Sequence, residues 1–471
     1  MSTDFGRGVV MGCLCPHPPA MIPEVGKNDA SQTRASINGM RELAQAIKAC
    51  QPECLIFLTP HGNIFADAIS FLVEPVLEGN LANFGAKDIN FTVDNDLELL
   101  RAWAVACEGA GLPLVGIDKE VVYQGVSPNL DHGVTVPLYF LHQAGLDDLP
   151  LIVISQSGLP EDELYQVGMC LEQACEEIGR RAVVIASGDM SHRLAQDGPY
   201  GYNPAGPEFD RLIMEIIKAG EINQLLQMPA ELREAAGECG YRSLVMMAGA
   251  LDTQEITSWI YSYQKPFGVG YLVAAMAPTG KAVVSVHENQ SRDYHQRLEN
   301  ARKQESAPVA WARQVLESYI NQHSTPSSPA NEDPIFSRRA GVFVSLKKKG
   351  QLRGCIGTIF PTTDNVREEI KTNAVSSGTR DPRFTAVHPQ ELPDLVYSVD
   401  VLGEAEPCTA GDLDPQVYGV IVRYGAKTGL LLPALEGVET VDEQLRIALS
   451  KAGIKASDKY QIERFMVERY H

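Results

Sequence analysis

Three histidines in the first half of the chain share one kind of local context. His17, His61 and His192 each follow an apolar run and lie in a small or proline-containing turn. In an open α/β sheet, ligands bind beyond the carboxyl ends of the strands, so turn histidines from separate strands would meet there. Such a group could bind a metal ion or transfer protons near neutral pH. Each histidine, taken alone, could also be a turn residue held by hydrogen bonds.

A carboxylate and a thiol stand side by side farther along the chain, at Glu238 and Cys239, just before the helical run 243–251. Glu238 could complete two histidines into the 2-His-1-carboxylate triad, which binds Fe(II) on one face and leaves positions for O2 and substrate. A third histidine held off the metal would be free to act as acid or base. The other interpretation of Glu238 is a carboxylate favoured by the N-terminus of the helix.

The elements that must position these residues follow an alternating pattern from about residue 9 to 276. Short apolar runs predict strands at 54–58, 151–154 and 182–186. Helical patterns between them, several ending near glycine, predict helices at 31–50, 94–109, 161–179 and 207–219. The first part of the chain is therefore predicted to be an α/β domain.

Length and composition limit the class of protein. The 471 residues argue for two or three domains, and 44% hydrophobic with 21% charged residues is typical of globular chains. The 60 acidic against 40 basic residues give a net charge of −20, which disfavours nucleic acid and anionic membrane as partners. With no apolar stretch long enough to span a membrane and no signal-peptide pattern, we expect a cytoplasmic protein whose ten cysteines are reduced.

A polar segment divides the chain. We predict a first domain at 1–280, a linker or solvated helix at 281–305, and a second domain at 306–471. The second domain opens with an amphipathic run at 309–320. Turn-rich segments then separate its apolar strands, which predicts an α+β unit.

Four motifs of the first domain, in the same order along the chain, resemble those of the class III (LigB-type) extradiol dioxygenases and the related Memo family. They are Pro-His-Pro-Pro at 16–19, Thr-Pro-His-Gly at 59–62, Leu-Asp-His-Gly at 130–133 and Ser-Gly-Asp-Met-Ser-His at 187–192. The resemblance implies a mixed central sheet flanked by helices. It also implies that His17 and His61 bind the metal, that Glu238 is the carboxylate ligand, that His192 is the acid/base and that His132 lines the substrate pocket.

One departure concerns the third ligand. Memo-type members place a cysteine in the last ligand motif, and here Glu238 and Cys239 are adjacent, so the motif alone is compatible with either residue. We choose Glu238 because a hard carboxylate suits Fe(II) and O2, whereas a thiolate suits a softer metal such as Cu(I). Cys239 then has a packing role. Another divalent metal, or copper, remains an alternative to Fe(II).

The second domain carries its own fingerprint, Leu-Arg-Gly-Cys-Ile-Gly at 352–357, together with Arg-Asp-Pro-Arg-Phe at 380–384. Both resemble the AMMECR family. Cys355 could be a nucleophile, a ligand or a buried small residue. Arg353 and Arg383 could form an anion or partner site, or pair with carboxylates.

The resemblance implies a reaction and a partner. The reaction is Fe(II)- and O2-dependent cleavage of a catechol-like or aminophenol-like ring, and the alternative is a Memo-like metal-binding protein without ring cleavage. The fusion of the two domains resembles the AmmeMemoRadiSam arrangement, which implies a separate radical SAM protein, because this chain has no Cys-x3-Cys-x2-Cys run. A homo-oligomer is left open.

Overall fold

The structure is a computed structural model that describes residues 6–120, 125–330, 332–435 and 437–471. The chain divides into two compact units, Met1–Gln290 and Ser291–His471. This division falls within the segment 281–305, and that segment contains the helix Val286–Lys303.

The first unit alternates strands and helices. Its strands are β1 (Gly8–Cys15), β2 (Cys54–Thr59), β3 (Ile69–Leu72), β4 (Val76–Leu81), β5 (Ala86–Asp94), β6 (Leu114–Ile117), β7 (Leu151–Ser155), β8 (Arg181–Ser187), β9 (Gln254–Gln264) and β10 (Tyr271–Ala282). The helices before the division are α1 (Pro23–Gly26), α2 (Arg34–Ala49), α3 (Leu97–Gly109), α4 (His132–Gln143), α5 (Glu161–Ile178), α6 (Ala205–Ala219), α7 (Ala230–Ala236) and α8 (Tyr241–Gly249). The division falls within helix α9 (Val286–Lys303).

The centre of this unit is an eight-stranded mixed sheet in the order β6-β3-β7-β2-β8-β1-β10-β9. The strands β7, β2, β8 and β1 pair in parallel, whereas β10 and β9 are antiparallel. This confirms the predicted α/β fold with a mixed central sheet. The strands predicted from the sequence correspond to β2, β7 and β8, and the four helices predicted between them correspond to α2, α3, α5 and α6. Helix α4 was not predicted.

Apolar side chains cover both faces of the sheet. Leu43 of α2 and Leu138 of α4 pack on one face, and Trp103 of α3 and Leu164 of α5 pack on the other. Parallel strands are stable only when both of their faces are buried, which explains why β2, β7 and β8 read as continuous apolar runs instead of alternating ones.

The pairing of β1, β8 and β2 fixes where these strands end. Cys15 at the end of β1 lies opposite Ser187 at the end of β8. Leu58 of β2 lies opposite Ala186 of β8, so β2 ends level with its neighbours. The residues that follow the three strands therefore emerge at one edge of the sheet.

The second unit has two four-stranded antiparallel sheets, in the orders β12-β11-β13-β18 and β14-β17-β15-β16. Their strands are β11 (Val342–Lys348), β12 (Gln351–Gly357), β13 (Leu395–Leu402), β14 (Glu406–Pro407), β15 (Gly419–Tyr424), β16 (Lys427–Leu431), β17 (Gln461–Phe465) and β18 (Val467–Tyr470). The helices are α10 (Ala307–Gln322), α11 (Val366–Thr379) and α12 (Val441–Ala452). The predicted α+β class is confirmed.

In the ranges that the structure describes, none of the helices combines the length and the apolar character needed to cross a membrane.

We expect a chain cut after Ser285 to give two soluble fragments, 1–285 and 286–471, because each unit has its own apolar core. Separate expression, with circular dichroism and thermal unfolding of each fragment, tests this. Fragments that fold only when mixed would contradict it.

Candidate metal centre

Three polar residues follow the level strand ends. His17 is the second residue after β1, His61 the second after β2, and Asp189 the second after β8. The ring of His17 is buried, whereas His61 is exposed. The structure thus brings together the two histidines predicted as metal ligands.

The two imidazoles face each other. Their Nε2 atoms are 2.9 Å apart, and the ring planes are almost perpendicular, at 87°. The other ring nitrogen of His17, Nδ1, is hydrogen-bonded to Ser187 Oγ at 3.0 Å. When Nδ1 carries the proton and donates it to Ser187, the Nε2 lone pair is free and points towards His61. Metal-binding histidines commonly have their other ring nitrogen hydrogen-bonded in this way.

His132 reaches the same place from the first turn of α4. The Asp131 carboxylate caps this helix, because its Oδ1 accepts the Gly133 N–H at 2.6 Å. The same oxygen accepts the Thr59 hydroxyl at 2.8 Å, which ties the helix to the end of β2. The ligand atoms of His17, His61 and His132 lie within 4.8 Å of one another.

The ring of His132 nonetheless stacks on that of His61. The centroids are 4.2 Å apart and the planes differ by 23°. A metal ion lies close to the plane of each imidazole that binds it, and the planes of two nearly parallel stacked rings do not meet near either nitrogen. His132 is therefore placed beside the pair His17 and His61 as a neighbour, which suits its predicted role in lining a pocket.

Cys239 approaches His17 from another direction. Its Sγ lies 3.7 Å from His17 Nε2 and accepts the Asp189 N–H at 3.3 Å. Asp189 Oδ1 accepts a hydrogen bond from the backbone N–H of His17 at 3.2 Å. The ligand atoms of His17, Asp189 and Cys239 also lie within 4.8 Å of one another. His17 is common to both groups.

Glu238, the residue chosen above as the third ligand, does not join this cluster. Its carboxylate accepts the Tyr241 N–H at 2.6 Å, at the first residue of α8. Arg233 and Arg242 also act on it electrostatically. The Glu238 carboxylate therefore lies at the N-terminus of α8, while the adjacent Cys239 thiol faces His17. Asp189 was missed by sequence reasoning, although its place two residues after a strand, like that of His17 and His61, could have indicated it.

His192 lies near the cluster without belonging to either group. Its Nε2 is buried and has no hydrogen-bond partner within the described ranges. Its ring lies 5.1 Å from that of Tyr200. The charge of His192 lowers the pKa of His17, so the two imidazoles are close enough to interact.

Burial keeps the imidazoles and the thiol of the site neutral. It lowers the pKa of His17 well below its ordinary value, with His61, His132 and His192 adding to the effect. Burial, followed by His61, also lowers the pKa of His132 to about 4. The pKa of the Cys239 thiol is raised by burial and then by Asp189. Near pH 7 the imidazoles thus offer lone pairs, and a cation beside the thiol would favour its thiolate. These donors fit a metal ion.

A cavity of about 330 Å³ opens beside the cluster. His61 and His132 line it together with Phe84 and with polar side chains that include Asn83 and Asn129. The volume is within the range of small-molecule sites. A small ligand in this cavity would contact His61 and His132.

The predicted candidate residues of the second unit lie together on one strand edge. Arg353 forms a two-pronged pair with Glu391, with both N···O distances at 2.9 Å. Arg383 pairs with Asp381 at 2.7 Å and donates to the backbone oxygen of Cys355. Both arginines thus pair with carboxylates.

Two family matches cover most of the chain. Residues 11–274 match the family described as the catalytic LigB subunit of aromatic ring-opening dioxygenase. This chain belongs to the LigB family. Residues 309–471 match the AMMECR1 family, so a LigB domain is fused to an AMMECR1 domain.

Relatives share one or both domains. A protein of Clostridium acetobutylicum is 40% identical over 97% of this chain and 98% of its own length. A Thermotoga maritima protein is 51% identical over 34% of this chain and 95% of its own. The crystal structure of an uncharacterized protein from Pyrococcus horikoshii has 28% sequence identity and a TM-score of 0.32, and the match covers 34% of this chain and 88% of that protein's chain. An uncharacterized Escherichia coli K12 structure has 14% identity and a TM-score of 0.40, covering 57% of this chain and 99% of its own.

We expect Cys239→Ala to lower metal affinity more than the ~10–100-fold that loss of an outer-shell contact costs. Glu238→Gln should lower it by less, because glutamine still accepts the Tyr241 N–H. Metal-to-protein ratios after dialysis against buffered metal measure both.

The matched control is Cys54→Ala, a buried cysteine at the opposite end of β2. It should leave the metal content unchanged. An empty site in Glu238→Gln together with a full site in Cys239→Ala would restore the original choice of Glu238.

Proposed function

We propose that the LigB domain binds one redox-active metal ion through His17, His61 and Cys239 and oxidises a small aromatic substrate with O2. The observation that carries this proposal is the arrangement around His17 Nε2, with His61 Nε2 at 2.9 Å and Cys239 Sγ at 3.7 Å. The LigB family is named for aromatic ring opening, which supports the reaction class.

The donor set limits the ion. Imidazoles suit iron, copper and zinc, and a thiolate adds preference for softer ions. We propose Fe(II) for ring opening, with copper as the alternative that the thiol favours. When bound, the ion would supply Lewis-acid and redox chemistry towards O2 and a substrate that carries two neighbouring oxygen or nitrogen substituents.

The side chains around the site would handle the substrate's protons. His192 is neutral near pH 7, because burial and then His61 lower its pKa, so its ring can accept a proton from a ring hydroxyl and return it later. His132 is neutral above about pH 4. It lines the cavity and can accept a hydrogen bond from the substrate. Phe84 lies against His132, with centroids 5.4 Å apart, and offers an apolar face for an aromatic ring.

The substrate class that we propose is a catechol or an aminophenol. Cleavage would break the ring bond between one substituted carbon and its unsubstituted neighbour, and not the bond between the two substituted carbons. The ring-opened product would be yellow. Anaerobic reconstitution with Fe(II), followed by air and a panel of catechols and aminophenols, tests this through O2 uptake and absorbance. Metal binding without O2 uptake across the panel would contradict ring cleavage.

The thiol favours a second candidate function. Cys239 Sγ lies 3.7 Å from His17 Nε2, and a thiolate suits softer ions than the Fe(II) proposed for ring cleavage. In this second proposal the LigB domain holds a metal for a partner without cleaving a ring. We propose a separate radical SAM protein as that partner. Co-purification of the two proteins, dependent on Cys239, together with an absence of O2 uptake would favour this function over the first.

We expect His192→Gln to keep its metal and to lose about 10²–10⁴-fold in turnover, the usual contribution of a positioned acid or base. Metal content and single-turnover rates measured on the same samples separate the two effects. His142→Gln, a histidine of α4 near Phe91, is the matched control and should retain both. Loss of metal in proportion to activity would instead make His192 a ligand.

A further inference from the structure

The two motifs of the AMMECR1 domain meet at one residue. Strand β12 is the edge strand of its sheet, so the outward backbone groups of Cys355 have no strand partner. Side chains bind them instead. The Cys355 N–H donates to Asp381 Oδ2 at 2.8 Å, and Arg383 Nη2 donates to the Cys355 oxygen at 3.2 Å. The Asp381–Arg383 pair therefore fixes Cys355 and holds a guanidinium beside it.

Arg353 secures this arrangement from the same strand. Its Nη1 donates to the Thr385 oxygen at 3.0 Å, and its other nitrogens bind Glu391. The segment that carries Asp381 and Arg383 is thereby attached to β12. Arg353 is a positioning residue for this edge.

The thiol of Cys355 has polar and cationic neighbours. It is half-buried, and the Ser345 hydroxyl on β11 donates to its Sγ at 3.2 Å. Asp381 raises the pKa of Arg383, and the Cys355 thiol also interacts with that guanidinium. Burial lowers the pKa of Lys451 on α12, with the thiol opposing this effect and Arg383 adding to it.

Lys451 is the cation that is available to bind an anionic ligand. In the part of the chain that the structure describes, no hydrogen bond or salt bridge occupies its ammonium group. Arg383, in contrast, is paired with Asp381. Lys451 therefore leaves uncompensated positive charge within electrostatic reach of the thiol and of Arg383, in a protein of net charge −20.

A second cysteine of the same domain has the opposite environment. Cys408 is also half-buried. Burial raises its pKa, Arg464 lowers it, and the carboxylates of Asp412 and Glu406 raise it further. Arg464 is itself paired with Glu406 at 2.7 Å. The chain thus contains its own control thiol.

We propose that Cys355 is the nucleophile of a covalent site for small anionic electrophiles, with Lys451 and Arg383 attracting the anion. The thiolate is the reactive form of a cysteine, and the same cations would hold the anion next to the sulfur. The thiol proton goes to solvent and the sulfur forms a bond to the electrophilic carbon. The bond from that carbon to its leaving group breaks, and the leaving group departs with the electron pair. A carboxylate or a phosphate on the electrophile would be recognised by the same cations.

Iodoacetate and iodoacetamide test the proposal on the full-length protein at pH 7. They alkylate by the same substitution, releasing iodide, and are similar in size, but only iodoacetate is an anion. Peptide mass spectrometry gives the rate at Cys355 and Cys408 with each reagent. We expect the iodoacetate-to-iodoacetamide rate ratio to be about tenfold higher at Cys355, from attraction by nearby cations. Equal ratios at the two cysteines would overturn the proposal.

Variants of Lys451 separate the effect of its positive charge from the accessibility of the Cys355 thiol. Lys451→Met should reduce the ratio at Cys355 several-fold, and Lys451→Arg should restore it. Arg446→Met removes an exposed charge from the same helix and should leave the ratio unchanged. If Lys451→Met changes the rates with both reagents equally, anion attraction is wrong.

Discussion

The level ends of three parallel strands are the constraint on which the candidate metal centre depends. Backbone hydrogen bonds set the register of β1 on β8 and of β2 on β8. Both faces of these strands are buried, and a slip by one residue would exchange the side chains that pack against the helices on the two faces. The packing that stabilises the sheet therefore also fixes the separation of His17, His61 and Asp189.

Close backbone approach completes the site. A Cβ on Gly188 would lie 2.0 Å from Gly240 Cα, so the turn after β8 and the turn before α8 can touch only if both residues are small. This contact brings Cys239 to Asp189. A Cβ on Gly133 would lie 2.4 Å from Thr59 Oγ1, which has the same consequence for His132. The glycines beside the candidate site residues therefore help to form the site, because they allow the loops that carry these residues to approach one another closely.

Much of the first domain could be predicted from its sequence, because continuous apolar runs mark buried parallel strands and the turns after them carry the candidate histidines. Helix α4 escaped prediction because Pro137 lies inside it, and proline normally argues against a helix interior. The choice between Glu238 and Cys239 was beyond sequence reasoning for another reason. Adjacent residues in a turn point in different directions, and which one faces the strand ends depends on the contact between Gly188 and Gly240.

X-ray absorption spectroscopy at the edge of the bound metal tests the central claim most directly. With His17, His61 and Cys239 as ligands, the reconstituted protein should show one sulfur neighbour as well as imidazole nitrogens in the first shell. The sulfur signal should disappear in Cys239→Ser, while the imidazole scattering persists. A first shell of nitrogen and oxygen alone in the unmodified protein would contradict this account and return the third position to a carboxylate.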